Sequence, residues 1–111
     1  MAVFVACDGA AIVGFGCAGR SESEERAAEL FALYLDPTVI GKGVGRALFA
    51  ACMGHAKARG FRKMTTTVLT RNDVARRFYE RMQGQLLSGT EKLIETGGTR
   101  QTVVTYCWDV H

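Results

Sequence analysis

Six consecutive residues hold the densest chemistry in this chain: Gly41, Lys42, Gly43, Val44, Gly45 and Arg46. Glycine stands at every second place, with two cations interleaved. The apolar run of residues 28–35 stops at Asp36 and Pro37, and Leu48, Cys52 and Ala56 recur on one helical side beyond the turn. A strand delivering a glycine-rich turn to a helix N-terminus is an anion cradle. Glycine tolerates positive φ and lets the backbone approach a ligand closely, while the first helical amides have no intrahelical partner. Those amides, the helix dipole and the charges of Lys42 and Arg46 all favour a phosphate group there.

The spacing excludes two common phosphate sites. A P-loop needs Ser or Thr after its Gly-Lys pair, and here Gly43 follows Gly41 and Lys42. A dinucleotide fingerprint built on this turn needs a third glycine where Arg46 stands. Upstream, Gly14, Gly16 and Gly19 satisfy Gly-x-Gly-x-x-Gly, with Asp36 as the ribose ligand that such a motif would require. Against it, Glu22, Glu24 and Glu25 would bring three carboxylates to the pyrophosphate end of the following helix. Pro37 also ends the element where a second strand is needed, and no second nucleotide-binding half fits in what remains.

Charge points to the same segment. The net charge of +3 divides into +8 over residues 42–81, −4 over residues 1–41 and −1 over residues 82–111. A polyanionic cofactor accounts for such a distribution, and so would nucleic acid. No aromatic stripe is interleaved with the basic residues as a stacking platform requires, so a nucleic-acid role is disfavoured. At 111 residues the chain is one domain, 1–111, large enough to bury a core. No signal peptide or membrane span is visible, and a cytoplasmic protein is expected. Cys7, Cys17, Cys52 and Cys107 stand singly in apolar runs, with only His55 and His111 besides. That pattern predicts buried free thiols and no metal site. His55 reads as a packing histidine.

The elements that position the turn follow from periodicity. Residues 2–7 and 11–16 form a hairpin about Asp8 and Gly9, and residues 20–26 form a polar loop. Residues 28–35, apolar on both faces, predict a central strand covered on both sides, with Glu29 as its one charged member. A helix over 43–59 ends at Gly60, and residues 64–69 form a strand rich in β-branched side chains. A right-handed crossover sets that strand parallel to 28–35, leaving a ligand cleft where the two part. Residues 70–73 carry an N-cap signal for a second helix with Val74, Ala75, Phe78 and Met82 on its apolar face. Residues 86–94 and 100–110 close the chain as a hairpin about Gly97 and Gly98.

Two of these stretches together resemble the GNAT superfamily of N-acetyltransferases. The first is Gly41 to Leu48 after a strand ending in Asp-Pro. In the family, Gln or Arg-x-x-Gly-x-Gly or Ala holds the pyrophosphate of acetyl-coenzyme A through backbone amides. Its two glycines fall on Gly43 and Gly45, whereas its Gln or Arg falls on Ile40, which removes one side-chain contact and no backbone donor. The second is residues 72–81, similar to the family's Asn-x-x-Ala-x-x-Phe or Leu-Tyr at the family's separation from the first.

The resemblance implies a fold and a reaction. The fold is an α/β (α+β) domain with a mixed, mostly antiparallel sheet and two helices. The reaction is transfer of an acetyl group from acetyl-CoA to a primary amine by direct attack in a ternary complex; the alternative is a non-catalytic acyl-CoA-binding or scaffold protein. Gly41, Lys42, Gly43, Val44, Gly45 and Arg46 would hold the pyrophosphate, Leu33 and Leu35 would offer backbone to the pantetheine, and Asn72 would position the cofactor arm. Glu29 would be the general base and Tyr79 the general acid.

In the family another strand and two helices precede the opening hairpin, covering the sheet edge and forming much of the acceptor site. Their absence from this sequence predicts an open apolar edge at residues 3–7, covered in a homodimer or by a partner subunit. The acceptor would be a small-molecule or peptide amine.

Overall fold

The computed structural model describes residues 1–87 and 92–110. It contains a mostly antiparallel seven-stranded sheet and two helices, the α+β class expected from the sequence. The chain falls into two compact units, Met1–Met64 with the last residues of the chain, and Thr65–Trp108.

The first unit is built on three antiparallel strands, β1 (Ala2–Asp8), β2 (Ala11–Arg20) and β3 (Ala27–Leu35). The first hairpin turns at Gly9, whose φ of +62° is the left-handed value a two-residue loop uses and glycine tolerates. The second strand runs four residues further than its apolar pattern indicated, because Cys17 and Ala18 are paired on both sides, to Val3 and Ala2 and to Ala32 and Leu30. Gly14, Gly16 and Gly19 therefore lie inside a paired strand, which settles the dinucleotide motif against a phosphate loop.

Helix α1 (Val44–Ala58) packs on this sheet through Leu48, Phe49, Cys52 and Ala56, all buried. The glycines of β2 make room for it. A Cβ on Gly14 would stand 2.9 Å from the carbonyl oxygen of Tyr34 and 3.2 Å from Leu48 Cδ1, and one on Gly16 would stand 3.0 Å from Cys52 Sγ. The helix lies within one residue of the expected bounds at either end, with Gly43 and Arg59 as its caps and Gly60 beyond at φ +80°.

Two expectations fail in this unit. The third strand is not covered on both sides: Phe31 is 44 % and Tyr34 51 % exposed. Val5, Phe15 and Tyr34 form one cross-strand row on the face away from α1, and Val3 projects beside them. Apolar composition records what a strand can bury, and here only one face finds a helix. The thiols are also not uniformly buried, since Cys7 is exposed and Cys17 and Cys107 are half-buried, while Cys52 is enclosed.

The second unit contains most of β4 (Lys63–Leu69), then α2 (Asp73–Arg81), β5 (Gln85–Leu86), β6 (Lys92–Thr96) and β7 (Thr99–Asp109). Both short strands pair antiparallel with β7. The β6–β7 turn places Gly97 and Gly98 at φ +58° and +78°, the paired left-handed values of a type I′ hairpin. The expected arm 86–94 is present at its two ends; residues 88–91 lie outside the described residues.

The apolar face of α2 differs from the sequence pattern. Val74 is 67 % exposed, Ala75, Phe78 and Met82 are half-buried, and Tyr79 is the residue enclosed, at 7 %. Its ring packs against Tyr106 and Trp108 with centroids 6.0 and 5.6 Å away. The helix ends in a Schellman motif. Gly84 N–H donates to Tyr79 O at 2.9 Å and Gln83 N–H to Glu80 O at 3.0 Å, with Gln83 in the left-handed position at φ +69°.

Candidate functional site

The phosphate turn belongs wholly to the first unit. Asp36 opens it by accepting hydrogen bonds from Thr38 N–H at 2.9 Å and from the Thr38 hydroxyl at 2.7 Å. These bonds, the backbone one first, hold its carboxyl below the ordinary carboxylate value. The Asp36 cap and Pro37 set a single 3-10 turn, Pro37–Val39, in which Ile40 N–H donates to Pro37 O and Lys42 N–H to Val39 O. The sequence reading missed Asp36 and Thr38 as the framework of the turn, although Asp-Pro-Thr is a turn signal in its own right.

Gly41 and Gly43 then take φ of +83° and +85°, and a Cβ at either would meet nothing within 4 Å. Their glycine character thus answers to backbone conformation and not to crowding. The first helical amide with a backbone partner is Ala47, which donates to Gly43 O at 3.1 Å. The amides of Gly43, Val44, Gly45 and Arg46 consequently have no partner among the described residues, and Gly43 supplies no side-chain cap. Lys42 and Arg46 are exposed beside them. Four open donors, the positive end of a 15-residue helix and two cations fit a pyrophosphate.

The other expected residues of this unit lie on β3. Leu33 and Leu35 pair with Gly16 and Gly14 and turn their side chains toward α1, so their contribution to a ligand is through backbone. Glu29 pairs with Gly19 and is half-buried.

In the second unit, Asn72 caps α2: its Oδ1 accepts from Ala75 N–H at 3.1 Å, leaving the amide nitrogen of its exposed side chain as the donor free for other use. Tyr79 is a core ring, as described above. A group that sequence reasoning missed holds this helix. The Tyr106 hydroxyl accepts from Arg76 Nε at 3.0 Å and donates to Glu80 Oε2 at 2.7 Å, and Arg76 Nη1 donates to Thr70 O at 3.2 Å. Burial pushes the Tyr106 phenol above its ordinary value, opposed in part by the Arg76 hydrogen bond, and that bond raises the Arg76 guanidinium. These partners are 26 and 30 residues apart, a separation no local pattern reveals. The Thr70 hydroxyl is buried and has no hydrogen-bond partner among the described residues.

Among the described residues no group of His, Cys, Asp and Glu is arranged to hold a metal ion, and no helix is long and apolar enough to cross a membrane.

With this geometry in place, comparison with known proteins is direct. The acetyltransferase (GNAT) family model matches residues 1–85, and the chain belongs to that family. An uncharacterised N-acetyltransferase of Methanocaldococcus jannaschii is 36 % identical over 80 residues, which are 71 % of this chain and 32 % of that protein. The chain thus spans about a third of the length of the curated relative it matches. Among solved structures, an N-acetyltransferase from Staphylococcus aureus Mu50 superposes with TM-score 0.84 at 18 % identity, over 98 % of this chain and 67 % of that one. The Salmonella typhimurium protein yncA, crystallised with its cofactor acetyl-CoA, superposes with TM-score 0.82 at 19 % identity, over 98 % of this chain and 64 % of that one. At these identities the structural likeness establishes the fold.

Proposed function

We propose that this chain is a single acyl-CoA-binding domain of an N-acyltransferase that moves an acetyl group from acetyl-CoA to a primary amine. The observation that carries the reading is the turn: left-handed glycines at 41 and 43 lead into four unpartnered amides flanked by Lys42 and Arg46. In this reading Gly41, Lys42, Gly43, Val44, Gly45 and Arg46 bind the pyrophosphate, Leu33 and Leu35 bond the pantetheine through backbone, and Asn72 offers its amide nitrogen to the cofactor arm.

Acetyl-CoA supplies an activated acyl thioester, and the chain supplies orientation and proton management. An amine of pKa about 10.4 is roughly one part in a thousand neutral at pH 7, a penalty of about 4 kcal/mol that a base relieves. Glu29, half-buried on β3, takes that proton directly or through water. Tyr79 provides the proton for the departing thiolate. Moving a proton from a phenol of pKa about 10 to a thiolate of about 8.5 is uphill by roughly 2 kcal/mol in water, so Tyr79 acts largely by hydrogen-bonding the developing charge.

The test is Tyr79→Phe. Turnover falls while the acetyl-CoA dissociation constant stays within about twofold; unchanged turnover removes Tyr79 from the mechanism. A second reading, a non-catalytic acyl-CoA binder, is favoured by one observation: the Tyr79 ring already has a structural task between Tyr106 and Trp108. That reading expects acetyl-CoA binding without turnover on any amine. The exposed Val3 and Val5 of β1 further support a homodimer that covers the β1 edge. A monomer at micromolar concentration in sedimentation would refute it.

A further inference from the structure

At the far end of α1 from the phosphate turn, the first unit contains a cavity of about 210 Å³ lined by Met1, Gly19, Arg20, His55, Arg59 and Phe61. The helix between the two places has 15 residues, which at about 1.5 Å each separates them by about 22 Å. This is not an extension of the acyl-CoA turn.

The lining is basic and aromatic, and no acidic residue contributes to it. The Arg20 guanidinium lies over the Phe61 ring, 5.5 Å from its centroid, which restrains its orientation. Arg59 is the C-cap of α1, its backbone fixed by the bond from its N–H to His55 O at 3.0 Å. His55 meets the Phe4 ring edge-on at 6.3 Å, a packing contact as expected, and its imidazole also borders the cavity. Neither arginine forms an ion pair with a described residue, whereas Lys63 nearby in sequence pairs with Glu24.

The dipole of α1 accounts for basic residues at its C-terminus, and so for His55 and Arg59. It does not account for Arg20, which comes from the end of β2 and faces the same cavity. Two guanidiniums and an imidazole line one concave site, and a bound anion would fill their donor capacity. At about 30 Å³ per water the cavity holds about seven waters, enough for a tetrahedral or branched anion.

We propose that this cavity binds a small oxyanion with several acceptor oxygens, a phosphate monoester or a di- or tricarboxylate. Arg20 and Arg59 bond it through their N–H groups, with His55 as a third donor and Phe61 and Gly19 as the dry wall. The site is independent of the acyl-CoA reading.

The test is an amide chemical-shift titration of the full chain with inorganic phosphate and, separately, with citrate, at ionic strength held constant by sodium chloride. The expected result with one of them is a saturable shift of the Gly19, Arg20, Arg59 and Phe61 amides with a dissociation constant of about 1 mM or tighter. In the Arg20→Gln/Arg59→Gln double variant that constant rises about tenfold or more, with the remaining spectrum retained. Which anion saturates first distinguishes the phosphate from the carboxylate class. Shifts confined to residues 41–46, shifts that do not saturate, or shifts unchanged in the double variant overturn the proposal.

Discussion

Gly14 and Leu48 approach so closely that a methyl group on Gly14 would stand 3.2 Å from Leu48 Cδ1, with the Tyr34 carbonyl oxygen only 2.9 Å away. A backbone oxygen cannot step aside, so Gly14→Ala is expected to cost about 1–3 kcal/mol in urea unfolding. The same change in a phosphate-binding loop would weaken a ligand and leave stability largely alone. A stable Gly14→Ala variant would therefore contradict the packing role assigned here.

The C-terminus of α2 allows a gain of stability. Gln83 holds a left-handed φ of +69°, a conformation that favours glycine. Gln83→Gly is expected to be neutral or to stabilise by up to about 1 kcal/mol, the relieved strain being offset in part by greater freedom of the unfolded chain. Gly84→Ala is expected to do the opposite, because its Cβ would stand 2.7 Å from Trp108 Cζ2 and 2.9 Å from Tyr79 O. Thermal midpoints of the two variants should fall on opposite sides of the parent, or the first should coincide with it.

Thiol chemistry reads out the first unit. Burial, with Cys17 nearby, pushes the Cys52 thiol up to about 11, while Cys7 is exposed. At pH 8 an aromatic disulfide reagent is expected to modify Cys7 first and Cys52 only at the rate of unfolding. Rapid modification of Cys52 in folded protein would show that α1 does not seal it.

The Tyr106 phenol titrates above its ordinary value of about 10 in the folded chain. A group whose folded pKa is raised contributes stability that is fully present below the unfolded pKa and is lost as pH rises through the folded one. Stability is thus expected to fall above about pH 10, and Tyr106→Phe, which cannot ionise, is expected to flatten that limb while costing about 1–2 kcal/mol at neutral pH through the lost bonds to Arg76 Nε and Glu80 Oε2. An unchanged alkaline limb in Tyr106→Phe would assign the loss to other groups.

Legibility in the sequence followed the range of the interaction. The hairpin at Gly9, the turn at Gly41 to Gly45, both bounds of α1 and the Gly97–Gly98 turn were readable, since each depends on backbone conformation that a few adjacent residues dictate. The tail of β2 was not, because Gly19 and Arg20 carry no apolar strand pattern and are held by pairing with Glu29 and Ala28 of β3. Phe31 and Tyr34 were expected to be covered, yet periodicity reports apolar character and not whether a second element arrives. On α2 the face was misplaced by about one residue: Tyr79 was enclosed and Val74 left in solvent, because Tyr106 and Trp108 of β7 decide which side is the core. Of the candidate site, the glycine-rich turn was legible as a turn into a helix, its Asp36–Thr38 framework was not, and the Arg76–Tyr106–Glu80 group was invisible.

The central claim is that the turn holds an acyl-CoA pyrophosphate. The most direct measurement is thermal unfolding of the full chain with acetyl-CoA, coenzyme A and NAD, each in large excess. A ligand at about a hundred times its dissociation constant stabilises by about 2.7 kcal/mol, a rise of several degrees in a domain of this size. That rise is expected with both coenzyme A forms, is expected to be lost in a Lys42→Ala/Arg46→Ala variant, and is not expected with NAD. No rise with any of the three, or an equal rise with NAD, would contradict the claim.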